Sequence, residues 1–142
     1  MDGAFVIYYK VTQPWFSEKE LSGVRWLTKR TNKTPVNITM NKQDIYASFS
    51  HPDHKVKPVL KDGKYKFDIE IDVSGKILGL DTQIDIDKIK RKFESQIKKE
   101  ILSTFKTGLQ KNADPLNLGK ILYIKETKYW QKNHMKEPKD YL

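Results

Sequence analysis

The chain contains no cysteine, which excludes disulfide bridges, thiolate nucleophiles and cysteine-based zinc sites together, and leaves the redox compartment unmarked. No segment approaches the 18 or more consecutive apolar residues of a membrane span. The start, Met1-Asp2-Gly3, lacks the basic region and apolar run of a signal peptide, so the sequence as it stands reads as a soluble chain. Gly75 and Gly79 form neither a P-loop nor a Gly-x-Gly-x-x-Gly pattern, and no Gly-x-Ser-x-Gly occurs. Histidine is scarce. His51-Pro52-Asp53-His54 holds imidazole and carboxylate donors, but its spacing matches no established structural zinc signature and His134 is remote in sequence, so these read as solvated loop residues. Neither internal repeats nor low-complexity linkers are found. The reading is of a protein that is not an enzyme, with no catalytic residues, no cofactor and no metal.

What is present is enough for one core. At 142 residues the chain has the size of a single domain, here residues 1–142. Apolar residues make up 37% and aromatic residues 11%, which places most of the chain outside the disordered class. Lys plus Arg number 27 against 18 Asp plus Glu, a formal charge of +9. That balance favours an acidic partner, either nucleic acid or an anionic membrane surface.

Along the chain, Ala4 to Val11 is a nearly continuous apolar run that predicts a strand buried on both faces and ended by Pro14. Ser17 and Glu20 have capping-box spacing, opening a helix to about Thr28 with Leu21, Val24 and Leu27 inward. Strands around Val36 to Met40 and Ile45 to Phe49 flank a polar turn at Asn41-Lys42-Gln43-Asp44. Asp62-Gly63 supplies the residues that a two-residue type I′ turn needs at positive φ. That turn sets the register: Lys61 opposite Lys64, Leu60 opposite Tyr65, Pro58 opposite Phe67, Lys57 opposite Asp68, Val56 opposite Ile69 and Lys55 opposite Glu70. Tyr65, Phe67, Ile69, Ile71 and Val73 then share an apolar face. Pro58, falling at a non-hydrogen-bonded pair, points its missing N–H to an unpaired edge.

Asp85 is placed to cap a long helix, with Asp87 favourably set against the dipole. Ile86, Ile89, Phe93, Ile97, Ile101, Phe105 and Leu109 recur at helical spacing to about Lys111, with Leu102 widening the stripe. The Tyr65 to Val73 face is its natural partner. Leu118, Ile121 and Leu122 predict a short helix, Thr127 to about Asn133 another, and the tail beyond His134 reads as irregular. The fold class is α+β: an antiparallel sheet packed against one long amphipathic helix and flanked by shorter helices.

Asp68, Glu70 and Asp72 line a strand face as a pair of acids in a glycosidase would, but lysines stand opposite two of them, as on a charged outer sheet face. Lys88, Lys90, Arg91, Lys92, Lys98, Lys99 and Lys106 form a basic helix surface, tempered by Glu94 and lacking the aromatic motif of RNA-binding sheets. Of three tryptophans, Trp15 lies between Pro14 and Phe16 in a connecting segment, so it is the one read as exposed and the one candidate for partner binding.

The segments Gly3-Ala4-Phe5-Val6, Trp26-Leu27, Lys55-Val56-Lys57-Pro58 leading through Asp62-Gly63-Lys64 to Phe67-Asp68-Ile69-Glu70-Ile71, the long basic helix, Ala113-Asp114, Leu116-Asn117-Leu118-Gly119 and Trp130 resemble the C-terminal domain of the Ger(x)C family. These are the C subunits of nutrient germinant receptors. The resemblance runs from about Gly3 to Trp130. It implies an antiparallel sheet flanked by helices, in a lipoprotein on the outer face of the spore inner membrane that acts in spore germination with two membrane-embedded subunits, A and B. Membrane attachment would come through the lipid anchor of the full-length protein and not through this domain. The sequence lacks the family's N-terminal domains and lipid-bearing cysteine and stops before the family's usual closing strand, as a fragment of a longer lipoprotein would. The alternative is a small basic nucleic-acid-binding domain; the family resemblance implies no nucleic acid partner.

Overall fold

The computed structural model describes residues 3–8, 11–28, 33–78 and 85–142, with backbone alone for 3–8, 11–13 and 51. Two antiparallel strands, β1 (Gly3–Tyr8) and β2 (Val11–Ser17), form a hairpin. The opening apolar run is thus the first arm of a pair, and Pro14 does not end it. Between the pairs Phe5 with Trp15 and Ile7 with Thr12, one residue of β1 faces two of β2. Pro14 sits in that bulge, where the missing N–H disrupts no ladder bond. The expected burial of the run on both faces falls on side chains outside the described set.

Ser17 and Glu20 do exchange capping bonds: the Glu20 carboxylate accepts from the Ser17 N–H at 2.7 Å, and Glu20 N–H donates to the Ser17 hydroxyl at 3.2 Å. What they open is a turn followed by a 3-10 helix, Ser22–Leu27, in place of the α-helix that the spacing predicts. The buried residues are Gly23 and Trp26, three apart as a 3-10 helix requires, while Leu21, Val24 and Leu27 are only half-buried. Tertiary contact selects this geometry. Gly23 lies so close to the long helix that a Cβ would come within 2.7 Å of the Ile101 Cα, and its N–H donates to the Thr104 hydroxyl at 2.9 Å.

Three further strands, β3 (Thr34–Met40), β4 (Gln43–Lys61) and β5 (Lys64–Leu78), form an antiparallel sheet in that order. The first turn is shorter than expected: Asn41 and Lys42 alone make it, at φ of 52° and 61°. The second matches the expected register in every pair, with Asp62 at φ 52° and Gly63 at φ 75°. In that register, Val56 and Pro58 turn their backbone groups away from β5. Lys125 covers this side by donating to the Val56 carbonyl at 2.7 Å.

The long helix, α1 (Ile86–Gln110), begins where Asp85 accepts the Asp87 N–H at 2.9 Å. Ile89, Phe93, Ile97 and Ile101 are buried with Trp26, Val36, Ile38, Ile45 and Phe49. Phe93 meets the Phe49 ring edge-on at 5.3 Å, and Phe49 meets Trp26 at 5.8 Å. Two short helices follow, α2 (Leu118–Lys125) and α3 (Thr127–Lys132), both near their expected positions. The tail departs from expectation. Pro138–Asp140 forms a 3-10 turn, and Met135, Pro138 and Tyr141 are buried, Met135 and Tyr141 against Leu122 and Trp130. Its apolar residues find a second cluster that sequence periodicity does not reveal.

Two carboxylates hold these parts together. Glu100 is buried on α1, accepting from Trp26 Nε1 at 2.6 Å and from Arg25 Nη2 at 2.6 Å and Nε at 3.2 Å. Arg25 also donates to the Pro35 carbonyl of β3 at 3.1 Å. Asp114, buried, accepts from the Leu118 and Gly119 N–H groups at 2.9 and 2.7 Å and from the Tyr141 hydroxyl at 3.0 Å. It thereby caps α2 and clamps the tail. Burial raises the Asp114 pKa against the pull of those donors. A carboxyl whose folded pKa is raised binds more protons folded than unfolded, so its own contribution falls as pH rises past the ordinary value of 3.8.

Two outcomes follow from these contacts. Glu100→Ala leaves Trp26 Nε1 and a partly buried guanidinium without their acceptor, and urea unfolding should show a loss of about 3 kcal/mol. Glu20 is held at about 2, against an ordinary 4.5, chiefly by the Ser17 N–H and the Lys111 ammonium 2.9 Å away. Being depressed, it stabilises the fold above pH 4.5 and loses that contribution as pH falls toward 2. Thermal melts at pH 6 and pH 3 should therefore fall less in Glu20→Gln than in the native chain.

Candidate interaction surface

The natural partner expected for α1, the apolar face of β5, is only partly covered. Having been drawn over β3 and the 3-10 helix, α1 runs alongside β5 in the opposite sense and leaves a groove between them. Two adjoining cavities mark it, of about 910 Å³ and 510 Å³. The first lies between Phe67, Ile69, Ile71, Val73 and Ile77 of β5 and the stretch of α1 from Ile86 to Leu102. The second continues it from Tyr65 and Phe67 to Phe105, Leu109 and the buried tail. Residues expected to complete the helix's inward stripe are instead half-exposed: Ile86 at 50%, Leu102 at 45% and Leu109 at 44%.

Beside the groove is an open strand edge. Among the described residues β5 has a strand on one side only. The type I′ turn makes Lys66, Asp68 and Glu70 the residues that bond to β4, so Tyr65, Phe67, Ile69 and Ile71 direct N–H and C=O toward the open edge. An extended segment laid along this edge would complete the ladder and press alternate side chains into the groove.

The structure separates the other candidates. Trp15 is exposed at 46%, as expected, but it belongs to strand β2 and not to a loop; Trp26 and Trp130 are buried. Lys111 Nζ donates to the Trp15 carbonyl at 3.0 Å, which ties it to the end of α1. The histidine motif is in β4, at the register shift between Ser50 and Asp53, so it is not the solvated loop that was expected. His54 is partly buried, and its Nδ1 lacks a hydrogen-bond partner among the described residues; the side chain of His51 is outside them, and His134 is exposed. No cluster of metal-ligating side chains occurs among the described residues. Asp68, Glu70 and Asp72 are exposed on the outer sheet face, with Lys57 and Lys55 opposite the first two. Lys90, Glu94 and Lys98 rim the groove, whereas Lys88, Lys92, Lys99 and Lys106 stand exposed elsewhere on the helix.

Sequence reasoning missed Glu100, Asp114 and the groove. Glu100 carried a signal: three residues after Ile97 and four before Thr104, it lies within the apolar stripe, where an acid requires buried donors. The groove carried none, because periodicity identifies an apolar face without saying how completely it is covered.

Residues 2–138 match the family model described as Spore germination B3/GerAC like, C-terminal. Comparison with curated proteins gives no match. Among solved structures, the crystal structure of the GerBC protein is similar at a TM-score of 0.79 and 20% identity, over 92% of this chain and 44% of that one. The likeness shows the α+β fold; this chain spans less than half the length of the GerBC protein. No helix among the described residues is long and apolar enough to cross a membrane.

The open edge yields a direct expectation. Hydrogen exchange should be at least tenfold faster at the amides of Phe67, Ile69 and Ile71 than at those of Lys66, Asp68 and Glu70. Equal protection of the two sets would mean that the edge is already paired.

Proposed function

Because the chain belongs to the Spore germination B3/GerAC-like C-terminal family, we propose that it is a non-catalytic domain of a nutrient germinant receptor C subunit, acting through protein contacts with the membrane-embedded A and B subunits. The observation that carries the contact is the groove between β5 and α1, bordered by a strand edge that is unpaired among the described residues. Apolar side chains left accessible along a whole strand favour a partner that supplies both backbone pairing and apolar residues. Trp15 is a second contact in this reading, an exposed aromatic residue near the end of α1. The parent protein would sit on the outer face of the spore inner membrane.

The test is an affinity pull-down of the full-length parent protein from detergent-solubilised spore membranes, comparing the native sequence with Ile71→Lys. Ile71 lines the groove and is only half-buried, so the charge should disturb the groove more than the fold. The native protein should recover both membrane subunits, and the variant should recover at most a tenth as much. Equal recovery would remove the groove from the contact, and no recovery by the native protein would overturn the receptor reading.

A further inference from the structure

Independently of the groove, we propose that the outer ridge of α1 docks on an anionic phospholipid bilayer. At about 100° per residue, Lys88, Lys92, Lys99 and Lys106 fall within an arc of about 40° and span about 27 Å of helix. All four are exposed, and none forms an ion pair among the described residues. No acid stands three or four positions from Lys92, Lys99 or Lys106 in either direction. The acids of α1 are elsewhere: Glu100 is buried against Trp26, Glu94 is on the groove rim, and Asp87 is in the first turn; Asp85, three before Lys88, is engaged in capping the helix.

Helix stability does not account for this arrangement. Lys88 and Lys92 repel each other at i,i+4, and Lys88 lies in the first turn of α1, where the dipole disfavours cations. The last turn, where cations would stabilise the helix, has no basic residue. A simple solvated face would be expected to interleave acids with these lysines.

The shape of the surface selects the occupant. The opposite side of α1 is packed on the core, so the ridge is the convex outside of a long helix. It suits a plane of headgroups better than a nucleic-acid strand, which calls for a concave track and stacking aromatics. Lysines supply compact point charges suited to a diffuse anionic surface. This departs from the expectation that membrane attachment lies wholly outside the domain.

The test is flotation of the 142-residue chain with vesicles of phosphatidylcholine alone, and of phosphatidylcholine mixed with phosphatidylglycerol. Binding is expected to the mixed vesicles only, and to weaken with salt. The fourfold variant Lys88→Gln, Lys92→Gln, Lys99→Gln and Lys106→Gln should bind at least tenfold more weakly. A control with the same charge loss, Lys33→Gln, Lys42→Gln, Lys61→Gln and Lys128→Gln at exposed positions away from α1, should bind as the native chain does. An equal loss in both variants would overturn the proposal by reducing it to net charge. So would binding to neutral vesicles, or tighter binding to duplex DNA than to the mixed vesicles. The first two of these outcomes leave the receptor-contact reading standing, whereas tighter DNA binding would favour the nucleic-acid alternative.

Discussion

The buried carboxylate of Glu100 is the constraint on which the arrangement of the described core depends. An acidic side chain placed inside an apolar stripe must be met by hydrogen-bond donors. Here they come from the 3-10 helix, as the indole of Trp26 and the guanidinium of Arg25, while Arg25 reaches on to the Pro35 carbonyl. Because these bonds are directional, they set where α1 crosses. The helix is held against the 3-10 segment and β3, with the close approach at Gly23 permitting the contact. A purely apolar stripe would allow the helix to slide toward β5; the Glu100 site opposes that shift.

The groove follows from this placement. α1 and the 3-10 helix pack over the apolar cluster of β3 and the first half of β4, while the β5 side chains that join that cluster stay only half-buried. The uncovered apolar residues and unpaired backbone of β5 are costly in water, and proteins generally cover or blunt such edges. In β5 the outward face is charged, through Lys66, Asp68, Glu70 and Asp72, while the groove side remains apolar. The surface is therefore polarised: one side suits solvent and the other a partner. The far end is closed by the tail, which Asp114 and Tyr141 fasten beside α2.

Much of the fold was legible because local chemistry determined it. Asp62-Gly63 fixed the β4–β5 register pair by pair, since those residues accept the positive φ of a two-residue turn and the strand period does the rest. Asp85 and the isoleucine and phenylalanine spacing marked α1 to within a residue at each end. The failures are of another kind. Ser17 and Glu20 made their bonds, yet the following helix took 3-10 geometry because Gly23 and Trp26 had to reach α1. Pro14 stayed inside a strand because a bulge accommodated it. Trp15 was recognised as exposed but misplaced in a loop.

Strong local codes specified the β4–β5 hairpin and the capped amphipathic helix, composition specified the surplus of positive charge, and the order of the segments carried the resemblance to a family. These depend on backbone dihedrals and residue period, which act over a few positions. Long-range packing set which apolar faces meet, the burial and satisfaction of Glu100 and Asp114, the packing of the tail, and the groove left beside β5. Those outcomes depend on where directional bonds between distant segments, 74 residues apart for Trp26 and Glu100, bring the elements to rest.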